Sequence, residues 1–266
     1  MAWAAALLLF PVFIPVRAWA ADDKRQDMIY DVYAGGFHVL QANVTIDYPE
    51  DGRYVIFMGA KTYGMLGKLA PWHGTFESEG WKADAGLQPE LHQSVTTWRA
   101  EEEINTYNYN RDGSFGSYVV KEHGEKEEQV EVGPELTQGT IDAFTAGLKI
   151  FERVAAGKNC DGASDIFDGK RRFEQVFKYI GEDALEATKY NIYNGPAQEC
   201  TLEIVPIAGK WHDKPRGWLS IQEQGRERGT MPTIWLAPIA EGLPAVPVKI
   251  RVKTAYGTLF MHLAEY

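Results

Sequence analysis

The sequence holds 266 residues, with 27 Lys and Arg against 37 Asp and Glu, for a formal charge of -10. Such acidity argues against nucleic acid and anionic membrane surfaces as general partners, though not against a local basic patch. With 45% hydrophobic and 12% aromatic residues the chain can bury a sizeable core, and its length fits one large β domain or two small ones.

The first twenty residues, MAWAAALLLFPVFIPVRAWA, differ from the rest. Residues 4–16 are almost wholly apolar, Ala18-Trp19-Ala20 is an A-x-A cleavage pattern, and a charged stretch follows. This predicts a secretory signal peptide over 1–20. No Lys or Arg precedes the apolar run, and Arg17 sits close to the cut. The competing reading, a membrane anchor, needs about 20 apolar residues. No later stretch approaches that length, so the expectation is a single β-rich domain over 21–266 with no stable membrane insertion after cleavage.

A period of two runs through most of the chain. Residues 28–62 read as three strands, broken at Gly35-Gly36 and at Pro49-Glu50-Asp51-Gly52. Leu40, Ala42, Val44, Ile46 and Tyr48 form the face expected to be buried. The stretches WHGTFESEGW, ELHQSVTTWRA and EEINTYNYNRDGSFGSYVV continue the pattern, with Asp112-Gly113 as a hairpin signal. Two segments read as helical. The stronger, 140–157, has Thr140 as N-cap, a stripe of Ile141, Phe144, Leu148, Phe151 and Ala155, and Gly157 at its end. The weaker, 62–72, sets Tyr63, Leu66 and Ala70 on one face with Met65 and Leu69 beside it. Gly64 and Gly67 would each cost about 1 kcal/mol there. That segment reads either as ordinary core or as a movable lid. After the strong helix come RRFEQVFKYIG, ATKYNIYN, CTLEIVPIAG, PTIWLAP, VPVKIRVKTAYG and TLFMHLAEY. About twelve short strands result, a meander-rich sheet without βαβ units.

Cys160 and Cys200 are the two cysteines. In an exported chain an even pair predicts a disulfide. Closing a loop of that length contributes on the order of 4 kcal/mol in the chain-entropy model.

Motifs for chemistry are sparse. There is no G-x-S-x-G, P-loop, H-E-x-x-H or C-x-x-C, and the six histidines are dispersed. No catalytic residue, metal site or cofactor is expected. The segment DGKRRF concentrates three cations in an acidic chain. It reads as a turn at Asp168-Gly169 feeding a strand, with Arg171 paired to a carboxylate of the chain. The minor reading makes Arg171 an anion contact, since guanidinium grips carboxylate or phosphate bidentately.

Several pieces in order resemble one family: YDVYAGGFHVLQANV, ESEGWKADAGLQPELHQ, TIDAFTAGLKI, NCDGASDIFDGKRRFE, Cys200 in QECTLEI, and the closing WLAP…LPAVPVKIRVKTAYGTLFMHL. The chain is similar to a proteobacterial periplasmic domain family of unknown function, distantly similar to the lipoprotein-carrier (LolA/LolB-like) superfamily. That resemblance implies a mainly β protein, a curved antiparallel half-barrel wrapped around one strong and one short helix, located in the periplasm. It carries over no catalytic residues. The leading expectation is a non-enzymatic binder or carrier of an apolar or acyl-bearing ligand, a lipid or an acylated molecule. Tyr63, Met65, Leu66, Leu69 and Trp72 would cover it, with each buried CH₂ contributing about 0.8 kcal/mol. The alternative is a structural or envelope-assembly protein whose concavity is filled by its own helices. An enzyme of unrecognised type is the third reading.

Overall fold

The computed structural model describes residues 24–49, 52–83, 86–255 and 257–266. The segment 1–20, read as a signal peptide, lies outside them.

Strands of alternating pattern form where the sequence alternates. The N-terminal half gives β1 (Arg25–Ala34), β2 (Phe37–Asp47), β3 (Arg53–Thr62), β4 (Trp72–Ala83), β5 (Gly86–Trp98), β6 (Glu101–Tyr109), β7 (Phe115–Lys121) and the short β8 (Glu128–Val130). The C-terminal half gives β9 (Gly162–Phe167), β10 (Arg171–Leu185), β11 (Gly195–Gly209), β12 (Thr233–Ala237), β13 (Val246–Thr254) and β14 (Gly257–Glu265). Helices α1 (Gly64–Leu69), α2 (Pro134–Thr137), α3 (Ala143–Ala155) and α4 (Trp218–Glu227) join them.

All fourteen strands belong to one antiparallel sheet, in the order β8-β7-β6-β5-β4-β3-β2-β1-β14-β13-β12-β11-β10-β9. Two meanders therefore meet where β1 pairs with β14, Tyr30 opposite Leu263. The free edges are β8 and β9. The chain leaves at one, crosses through α2 and α3, and re-enters at the other. Phe167, at the end of β9, packs edge-on against Tyr107, Phe115 and Tyr118 of β6 and β7. One edge thus tucks against the inner face of the other, and side chains close what hydrogen bonds do not. This is the curved half-barrel the resemblance implied.

Helix α3 fills the concavity. Its N-cap is Asp142, whose carboxylate accepts from the backbone of Phe144 and Thr145. The expected cap, Thr140, instead donates its hydroxyl to the Thr137 carbonyl. Beyond its end Gly157 takes φ 72°, a left-handed position that suits glycine. A sheet that curls around a helix buries more than one stripe of it. Leu148 faces the β1–β3 side with Phe144 and Phe151, while Ile150 and Val154 face β11 and β12. Ala155, expected in the buried stripe, is exposed. Cys160 and Cys200 form a disulfide with Cα atoms 6.5 Å apart, both fully buried, tying the end of α3 to β11.

Three further features depart from expectation. Residues 187–194 are not a strand but the tip of the β10–β11 hairpin. There the Asn191 side chain accepts from Tyr193 N and donates to Val248 O, so it supplies the bonds a ladder would have made. β9 and α4 carried no clear signal. α4 starts at Gly217 (φ 55°) without a side-chain cap and buries only Gln222 and Gly225.

Candidate functional site

The segment 63–72 stands at one rim of the sheet. Thr62 clips its base: the Oγ1 accepts from Trp72 N (3.0 Å) and donates toward Ala70 O (3.1 Å). A Cβ at Gly67 would meet Thr62 O at 2.8 Å, so this glycine allows close approach of α1 to its clip. α1 packs on β2 and β3 and buries none of its residues. Met65 and Leu69 are 70% and 72% exposed, Tyr63 and Leu66 are also exposed, and Trp72 alone turns toward the main core.

Neighbouring connections extend this apolar crown. Tyr63 N donates to Val39 O, and the Tyr63 and His38 rings stack at 4.1 Å. That joins α1 to the β1–β2 turn, where Phe37 is 71% exposed. On the other side Arg99 N donates to Pro71 O, and Trp98 pairs with Trp72 across β5 and β4. The exposed Trp98 therefore belongs to the same rim.

At the same end, a cleft of about 900 Å³ opens where the sheet edges meet. Tyr107, Tyr118, Val130, Val132 and Leu136 lie along it, and Lys170, Lys210, Glu103 and Glu131 stand at its margins. The DGKRR turn forms one wall. Asp168 accepts from the backbone of Lys170 and Arg171 and from the Arg171 guanidinium, the last at 2.9 and 2.6 Å. Arg171 also lies over the Trp211 ring at 4.7 Å. The anion that Arg171 grips is thus Asp168 of its own turn. Gly169 has φ 90°, and a Cβ there would meet the Tyr118 hydroxyl at 2.5 Å.

Sequence reasoning missed a buried polar row. Adjacent strands bring Ser78, His92, Tyr107 and Tyr118 onto one inner face. Ser78 Oγ donates to Asp142 (2.8 Å) and lies 2.7 Å from His92 Nδ1. With its proton committed to Asp142, the Ser78 oxygen accepts from His92 Nδ1–H. Thr145 Oγ1 donates to Asp142 and meets the Tyr54 hydroxyl at 2.8 Å. Burial holds His92 below its ordinary pKa, opposed by the Asp142 charge. Ser, His and Asp meet here, but the order is wrong for a nucleophile. In a hydrolase triad the hydroxyl gives its proton to the imidazole; here it gives it to the carboxylate, and Ser78 has no exposed surface. The row anchors the α3 N-terminus to β4 and β5. The three residues lie in separate elements, so only register could have joined them.

Among the described residues no cluster of three or more His, Cys, Asp or Glu is placed to hold a metal, and no helix is long and apolar enough to cross a membrane. The buried disulfide fits an oxidising compartment.

No curated protein matches the chain. Among solved structures it is similar to a beta-barrel-like protein of domain of unknown function DUF1849 from Brucella abortus. Identity is 9%, coverage is 92% of this chain and 98% of that one, and the TM-score of 0.47 is too low to carry an argument. The DUF3108 family model, described as a protein of unknown function, matches residues 29–264 and so spans both meanders and α3; the chain belongs to that family.

Proposed function

We propose that the protein is exported to the periplasm and acts there as a non-enzymatic binder or carrier of an apolar or acyl-bearing ligand. The observation that carries this reading is the crown: Phe37, Tyr63, Met65, Leu66, Leu69 and Trp98 lie exposed on three hydrogen-bonded connections at one end of the sheet. Contiguous apolar surface in water marks an interaction site, and Met suits irregular partners. The A-x-A pattern at 18–20 and the buried disulfide support export. The test is uptake of a fluorescent fatty-acid probe. Leu66 is exposed, so Leu66→Asp is expected to leave the melting temperature within about 2 °C and abolish uptake. Absence of uptake by the wild type overturns the reading.

One observation favours the structural alternative. α3 occupies the concavity, with Leu148 and Tyr54 fully buried. The ligand therefore has the rim and its clefts to engage, not the middle of the half-barrel.

A further inference from the structure

The crown differs from the rest of the chain in charge as well as in polarity. The sequence holds 37 acidic residues, yet none lies between Asp31 and Asp47 and none between Asp51 and Glu77. The β1–β2 turn and the whole α1 connection fall inside these two windows. Their ionisable groups at the rim are Lys61, Lys68, His38 and His73, with Arg99 on the adjoining turn, over the Trp98 ring at 5.6 Å. Lys61, Lys68 and Arg99 are all exposed.

The carboxylates nearest the crown are Asp31, 3.1 Å from His38, and Glu101, opposite Trp98. The α1 connection itself carries none, and an apolar, cation-flanked segment of this kind in an acidic chain is suited to an apolar medium with an anionic surface. A soluble fatty acid would need one cation and a pocket. A bilayer needs a convex set of apolar side chains, aromatic rings at the level of the headgroups, and cations beside them. The crown has this composition: Phe37, Met65 and Leu69 outermost, Tyr63 and Trp98 beside them, Lys61, Lys68 and Arg99 around. The Thr62 clip and the Tyr63–His38 stack hold α1 in place, so its apolar groups stay presented and little ordering is needed on contact. The run Glu101–Glu103 lies past Trp98 on β6. Repulsion there would tilt the molecule so that α1 and the β1–β2 turn face the lipid and β6 faces away.

We infer that the crown is a membrane-docking face that seats the protein on the surface of a bilayer rich in anionic phospholipid. This rests on the acyl-ligand reading and names the surface from which such a ligand would be taken or to which it would be given.

The experiment is co-flotation of the purified protein with vesicles of phosphatidylglycerol and phosphatidylethanolamine, against vesicles of phosphatidylcholine alone. Expected is flotation with the anionic vesicles, at least tenfold weaker with the neutral ones, and lost in high salt. Met65→Asp with Leu69→Asp should lower partition at least tenfold with unchanged melting, since both side chains are already in water. Lys68→Glu should lower it about fivefold or more, the worth of one cation at an anionic surface. Ile180→Asp, at an exposed apolar residue of β10 outside the crown, should change nothing. Equal flotation with both vesicle types, or flotation retained by the double variant, overturns the inference. If the fatty-acid probe is bound and vesicles are not, docking fails while the ligand reading stands; if neither is bound, both fall.

Discussion

Asp142 shows how one residue can hold two layers together. Its carboxylate caps α3 and also receives the hydroxyls of Ser78 and Thr145. Asp142→Ala should cost about 3 kcal/mol in urea unfolding: about one for the cap, and about one for each buried hydroxyl left without its acceptor. His92 of this row and His262 of β14 also give a pH dependence whose sign is fixed by burial. His92 and His262 both lie below their ordinary value of 6.5, chiefly through desolvation, with Lys249 adding to the effect on His262. Each binds a proton more readily in the unfolded chain, so their contribution to stability is complete above about pH 6.5 and is lost as the pH falls below it. Melting temperature should drop between pH 7 and pH 5, and His92→Gln with His262→Gln should flatten that slope. A slope unchanged in the double variant would place the acid sensitivity in the carboxylates. Gly169 supplies a third test at this scale. Gly169→Ala meets both a left-handed φ and the Tyr118 hydroxyl, and should destabilise by about 1–3 kcal/mol. The Asp-Gly turn and the Arg171 partner were legible in the sequence, because both are local. The Ser78–His92–Asp142 contact was not, because it depends on the register of β4 with β5 and on where α3 docks.

At the scale of elements, alternation identified the strands that have one wet face and missed those defined by position. β2 shows the first case: Ala42 and Ile46 are buried, and Leu40, Val44 and Tyr48 pack on the core, as their spacing predicts. β8 and β9 show the second. They are three and six residues long and gain their stability from the strand beside them, so nothing in their own sequence sets them apart from loops. α1 was legible as a helix but not as to place. Apolar content suggested that it covers something, whereas its residues face water. The glycines that suggested looseness serve its start, where Gly64 has φ 60°, and its contact with Thr62. The disulfide was legible from parity and compartment alone. It joins the end of α3 to β11, across an interface that also carries Ile150 and Val154. Replacing both cysteines with Ser should lower unfolding free energy by about 2–4 kcal/mol. An m-value that also falls would show that α3 separates from the sheet before the rest unfolds.

For the whole molecule, the sheet order brings the first and last strands together. β1 and β14 are hydrogen-bonded neighbours, with Ile29 opposite Glu265, so the start of β1 lies beside the end of β14. The connection that matters for the fold is elsewhere: the passage from β8 through α3 to β9, which lines the concavity and brings the two edges together. A circular permutant tests this division. A short Gly/Ser linker would join residue 266 to residue 24, and new termini would open at 124–125 in the exposed turn between β7 and β8. No strand is cut, β1 stays paired with β14, and α3 keeps both its anchor on Asp142 and its disulfide. Cuts at exposed turns between elements that remain paired are the ones proteins tolerate. The permutant should fold cooperatively, with its disulfide formed and its melting temperature within about 5 °C of the parent. A second permutant, opened at 158–159 between α3 and Cys160, separates the helix from the disulfide that tethers it, and should lose several kcal/mol more. Equal stability of the two would mean that α3 is held by its packing alone and that the covalent tie contributes little. Failure of the first with success of the second would mean that continuity through the β7–β8 turn, not through the α3 crossover, is what the sheet requires.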